Sequence, residues 1–203
     1  MLTSISPLGE RARHNRWSIT VAWYVAASVA AAAAMGTVLG AAGSALAGVA
    51  GAPARAGVLG ALAALAVVID GTGAPVPGPR RQVDEDWLNR YRGWVYGAGF
   101  GAQLGAGVTT IVTTATVWLY LAAALLSGSW LPGAMIGATF GLVRALPLVG
   151  AGRVRSFAGL QRRHGALVRM APVATGVTVG ATAVAAVGLG VVAAVAAVAG
   201  GFS

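Results

Sequence analysis

Gln103, Thr110 and Thr114 come closest, by type and spacing, to a working site in this chain. Offsets of seven and eleven residues bring all three to roughly one helix face at about 3.6 residues per turn. A buried amide in hydrocarbon must find hydrogen-bond partners, so that face points into a helix bundle or toward water. Two readings stay open: interhelical hydrogen bonding, or a polar conduit or binding strip for a small solute. Thr109, Thr113 and Thr116 widen the strip, although threonine hydroxyls also bond back to their own helix.

The remaining ionisable groups suggest less. Arg144 is the one charge well inside an apolar run, either reaching the nearby interface with its long side chain or serving as a functional membrane charge. Asp70 closes the second apolar run, where a solvated carboxylate is a simpler reading than a catalytic one. Asp84, Glu85 and Asp86 are consecutive, so they do not converge on one cation; they suit the first turn of a short helix, where negative charge matches the dipole. His14 and His164 stand alone in basic segments, without a second ligand at metal spacing. There are no cysteines, which removes disulfides, thiolate metal sites and thiol redox chemistry. No nucleophile–base pairing and no phosphate-cradling loop is visible. The expectation is therefore no catalytic residues, no metal, no cofactor and no enzyme.

The elements that must position Gln103 are read from where charge is absent. The chain is 57% hydrophobic and 9% charged, against about 25% charged in ordinary soluble domains; too little charge remains to cover a water-facing surface. A bilayer core takes roughly 20 apolar residues per helical crossing. The uncharged runs predict spans near 17–46, 54–71, 93–126, 130–150 and 170–199, with Ser127-Gly128-Ser129 and Pro132 forming the turn between the third and fourth. Strand-like alternation is missing, so the expected fold is all-α: a polytopic membrane helix bundle of about five transmembrane helices. In the third span Gly97, Gly101 and Gly105 form a smooth stripe that lets another helix approach closely. Gly99 and Gly107 add flexibility on other faces, so this helix either packs tightly or breaks to line a pathway. Pro147 kinks or ends the fourth.

Arginine placement orients the bundle. All fourteen basic residues are Arg, for a net charge of +9. Twelve lie in three segments: Arg11, Arg13 and Arg16; Arg80, Arg81, Arg90 and Arg92; and Arg153, Arg155, Arg162, Arg163 and Arg169. Five spans with the amino terminus inside and the carboxyl terminus outside put all three segments in the cytoplasm and leave only Arg55 outside. The organisation expected is a basic segment at 1–16, a two-helix membrane half at 17–71, a cytoplasmic loop with an interfacial helix at 72–92, and a three-helix half at 93–203. Trp87, Leu88 and Tyr91 would share the apolar face of that interfacial helix. The positive charge thus marks topology and contact with anionic lipid rather than nucleic acid.

The stretch Gly97-Ala98-Gly99-Phe100-Gly101-Ala102-Gln103-Leu104-Gly105 resembles the Gly-x-Gly-Trp-x-Pro-Cys-x-Gly motif of the CcdA/DsbD cytochrome c biogenesis and thiol-reductant family, within the LysE-like transporter grouping. Gly133-Ala134 through Gly141-Leu142 and Leu146-Pro147 is similar to that family's next helix. Arg162-Arg163-His164 before a glycine-bearing last helix fits as well. Gln103 stands where the motif has its redox cysteine, Ala102 where it has proline, and the family's first helix has no counterpart. The resemblance implies two inverted three-helix repeats, here short of one helix, with the electron relay lost because two thiols are its chemistry. What it leaves is an inner-membrane scaffold of transporter type, moving a small solute near Gln103. The alternative is a non-transporting subunit or scaffold of a cytochrome c biogenesis or other envelope complex. Either implies a homo-oligomer or a membrane partner protein.

Overall fold

The computed structural model describes residues 5, 7–79, 86–107, 109, 112, 114–150, 152 and 157–200. Among them the regular structure is helical throughout, with no strand. In chain order the helices are α1 (Pro7–Ala12), α2 (Trp17–Ala42), α3 (Ser44–Ala47), α4 (Ala52–Thr72), α5 (Trp87–Arg90), α6 (Gly93–Ala106), α7 (Thr116–Leu126), α8 (Trp130–Gly150) and α9 (Phe157–Gly200). Among the described residues four stretches are long and apolar enough to cross a membrane: Trp17–Ala47, Ala52–Thr72, Trp130–Gly150 and Arg169–Ala199. They coincide closely with four of the five apolar runs. The run at 93–126 behaves differently: α6 ends at Ala106, and the next helix starts only at Thr116.

The chain divides into two compact units, each assembled from three separate segments. The first holds 1–33, 78–111 and 138–171. Its core is Val21 and Tyr24 of α2, Tyr96 and Phe100 of α6, Ala145 and Leu148 of α8, with Ile5 and Leu88 added from the flanking segments. Here α6 lies on α2. Gly97, Gly101 and Gly105 each meet a main-chain carbonyl, of Thr20, Tyr24 and Ser28 respectively, and a methyl group on any of the three would overlap it. Both sets repeat every four residues, so the two backbones run side by side at a separation only glycine permits. Gly141 of α8 approaches the Ser28 backbone as closely, and the Ser28 hydroxyl donates to its carbonyl at 3.0 Å. Trp87 and Leu88 turn inward: Leu88 is buried, and the Trp87 ring stacks on Phe100 at 6.1 Å and covers Gly99. The helix at that point is confined, among the described residues, to Trp87–Arg90.

The second unit holds 34–77, 112–137 and 172–203. Gly36 and Gly40 of α2 sit against Gly133 and Ser129 at the start of α8, again too closely for a side chain. α4 packs on α7, and its Gly57 and Gly60 face Ala193 and Ala186 of α9. Outward-facing residues are large and apolar, including Val58, Leu65, Val68, Val184, Val187 and Val195. Such faces fit acyl chains rather than water.

Candidate functional site

The site begins where α6 stops. Gly107 follows the helix at φ 79°, and its N–H bonds back to the Leu104 carbonyl at 3.1 Å. That left-handed φ strongly favours glycine and turns the chain out of the helix. The Thr109 hydroxyl donates to the Gln103 carbonyl and closes the same end. Gln103 and Thr114 therefore do not share a helix face as their spacing suggested, because the face needs a continuous helix and the chain leaves it at Gly107. Thr110 and Thr113 lie outside the described residues. Gln103 is half-buried on α6 in the first unit; Thr114 is exposed just ahead of α7 in the second.

α7 starts without a cap of its own, and α4 supplies one. Asp70 accepts the Ala115 N–H on Oδ1 at 2.7 Å, and the Thr116 hydroxyl reaches Oδ2 at 3.5 Å. A carboxylate here satisfies an orphan donor and sits at the positive end of the α7 dipole. At the other end of α4, Arg55 Nη1 donates to the Leu126 carbonyl at 2.9 Å, the last residue of α7. The two charged residues of α4 thus grip the two ends of α7, each at the end its sign suits. They are 15 positions apart, about 22 Å along a helix, against about 16 Å from Ala115 to Leu126; the arginine stem spans the difference. Gly128, at φ 67°, makes the turn beyond α7, and a side chain there would strike the Arg55 guanidinium. Asp70 is half-buried and engaged with α7, rather than a carboxylate merely solvated at a span end.

Beside Asp70 opens a cavity of about 400 Å³ lined by Ile69, Asp70, Gly73, Ala74, Thr114, Ala174, Thr175 and Thr178. The Thr178 hydroxyl gives its proton to the Ala174 carbonyl at 2.9 Å, which leaves its oxygen lone pairs toward other donors. A carboxylate and three threonines form a donor set suited to a small cation or a solute with N–H groups. A second cavity of similar size, nearly all apolar, lies on the other side of Ile69 and Ala115, with the Trp118 indole donating to the Pro77 carbonyl at 2.9 Å.

A second polar cluster lies in the first unit and was missed in the sequence. Glu10 of α1 is fully buried. It pairs with Arg13 at 2.9 Å, accepts the Thr20 hydroxyl at 2.8 Å and accepts the Tyr96 hydroxyl. Asn15 donates to the Tyr96 oxygen at 3.3 Å. One carboxylate thereby ties α1 to both α2 and α6. The available signal was Pro7, which suits the first turn of a helix, with an acid three residues on among arginines. The other expected positions are plainer. α8 runs through Pro147 to Gly150 without ending there. Arg144 is half-buried, its guanidinium 5.6 Å from the centre of the Phe140 ring, a cation–π arrangement. Among the described residues no group of three or more metal-ligating side chains comes together.

These features define a class: an all-helical protein whose helices are apolar enough to fit a membrane protein. Its similarity to known proteins is narrow. The chain is 38% identical over 80 residues to the methylamine utilization protein MauF of Paracoccus versutus, a match covering 39% of this chain and 29% of MauF. No protein-family model and no solved structure matches.

Proposed function

We propose that the chain is an integral protein of the bacterial inner membrane with a transporter-like scaffold of the CcdA/DsbD type, its redox relay lost, and that it moves a small solute past the interruption between α6 and α7. The carrying observation is Asp70: a carboxylate at the start of a half-helix, facing a threonine-lined cavity. Interrupted helices that leave main-chain groups beside a polar cavity are a recurrent way to build a solute site. In this reading the stretch 93–126 crosses as one interrupted span, the third of five crossings. The amino terminus and the arginine-rich segments then share the cytoplasmic side. The absence of cysteine and the glutamine at position 103 support a scaffold without electron relay.

The printed name of MauF supplies a first probe, methylammonium, a small cation that a carboxylate and threonine hydroxyls would hold. In proteoliposomes, labelled methylammonium should equilibrate faster with the protein than without it. Asp70→Asn should cut that flux at least about tenfold, a loss of roughly 1.4 kcal/mol in the rate-limiting step. Unchanged flux in folded Asp70→Asn would refute the site.

A non-transporting membrane subunit is the second reading. It is favoured by α9, where Gly176, Gly180 and Gly188 meet nothing within 4 Å among the described residues and leave a small-residue face open to another helix. MauF is named for methylamine utilization, not for transport. A stoichiometric foreign protein co-purifying in mild detergent, with no flux, would decide for this reading; a pure homo-oligomer with flux would decide for transport.

A further inference from the structure

A third cavity, in the first unit, differs from the others in carrying positive charge. It measures about 400 Å³ and is lined by Arg13, Asn15, Leu88, Arg90, Tyr91 and Arg92. Three arginines from two chain segments line it. Arg13 is steadied by the buried Glu10, while Arg90 and Arg92 are exposed. Asp86 stands one turn ahead of Arg90, whose N–H bonds to the Asp86 carbonyl at 3.2 Å. Arg92 is also the extended residue at the start of α6, and that helix end has no side-chain cap; its first N–H groups add to the positive potential. Planar guanidinium forks match the paired oxygens of a phosphate diester, as they do those of a carboxylate.

A separate observation says which phosphate. Trp94, two residues past Arg92, and Trp23 on α2 touch ring to ring at 5.7 Å. Both remain about half exposed, at 47% and 48%. Exposed tryptophans at the end of an apolar helix favour the headgroup level of a bilayer. In the membrane reading, Arg92, two residues from Trp94, stands at the level of the leaflet phosphates.

We propose that this cavity binds the phosphate headgroup of an anionic membrane lipid, of the phosphatidylglycerol class, as a specific site rather than through diffuse attraction. The proposal rests on the membrane reading but not on transport, so failed methylammonium flux leaves it standing. The test uses the full chain in an uncharged detergent, with thermal unfolding followed through tryptophan fluorescence. Dioctanoyl phosphatidylglycerol should raise the melting temperature saturably, and dioctanoyl phosphatidylcholine should not. Arg90→Gln/Arg92→Gln should weaken the phosphatidylglycerol half-saturation about thirtyfold. Arg11→Gln/Arg16→Gln removes the same charge from exposed positions outside the cavity and should change it less than about threefold. Equal weakening by the two pairs would show diffuse electrostatics and overturn the site. Equal responses to the two lipids would overturn it too, as would inorganic phosphate displacing the lipid at millimolar concentration, which marks a soluble-anion site. If the glutamine pair does not fold, Arg90→Lys/Arg92→Lys keeps the charge but loses the fork, and an unweakened half-saturation in that variant would equally overturn the proposal.

Discussion

α6 and α7 come from one uncharged run, yet different physics holds each in place. α6 lies on α2 by shape: three glycines meet three carbonyls of α2, and the charged group that reaches α6, Glu10, does so from α1 through the Tyr96 hydroxyl. α7 is held by charge: Asp70 binds its first turn and Arg55 its last carbonyl. Dispersion across a glycine stripe is lost as soon as volume is added. A charged cap tolerates volume and fails when its sign or acceptor goes. The glycine contact of α6 with α2 should be sensitive to size and indifferent to salt, the two caps of α7 the reverse.

The largest effect expected is Gly101→Val, which drives a branched side chain into the Tyr24 backbone and should cost about 3 kcal/mol, read as loss of the folded fraction in detergent unfolding titrations. Gly180→Val, at an open position on α9, is the matched control and should cost well under half as much. Next comes Glu10→Ala, which strips the acceptor from Arg13, Thr20 and Tyr96 together; about 2 kcal/mol is expected, and Glu10→Gln, keeping one acceptor oxygen, should recover part of it. Arg55→Gln should cost about 1 kcal/mol. It sharpens the contrast by its salt dependence: the α7 contribution should shrink at high ionic strength, whereas the Gly101→Val deficit should not.

Four apolar helices were legible in the sequence almost to the residue, because length and absence of charge report directly on membrane-scale helices. The expected spans at 130–150 and 17–46 correspond to Trp130–Gly150 and Trp17–Ala47. The glycine stripe was legible as a close-packing surface, but its partner was not, since nothing local pairs Gly101 with Tyr24 across 77 positions. Gly107 was readable as a weak point. Spacing arithmetic puts Gln103 and Thr114 on one helix face, because periodicity presumes the continuous helix that ends here at Ala106. Asp70 looked solvated for a similar reason: its partner, the Ala115 N–H, is 45 residues away. Glu10 stands in sequence among arginines, and its partners Thr20 and Tyr96 lie on other helices, so nothing local marks it as buried.

The central claim is that α6 ends at Ala106, that α7 starts at Thr116, and that Thr114, beside Asp70 at the cavity, meets water. A chain with no cysteines allows the direct measurement: single cysteines at positions 114, 117 and 124, tested in native membranes with a membrane-impermeant thiol reagent. The account predicts rapid labelling of Thr114→Cys, which is exposed at the cavity, and protection of Val117→Cys and Ala124→Cys, whose parent residues are 1% and 0% exposed. Protection of Thr114→Cys equal to that of Val117→Cys, in folded protein and from both sides of the membrane, would contradict it.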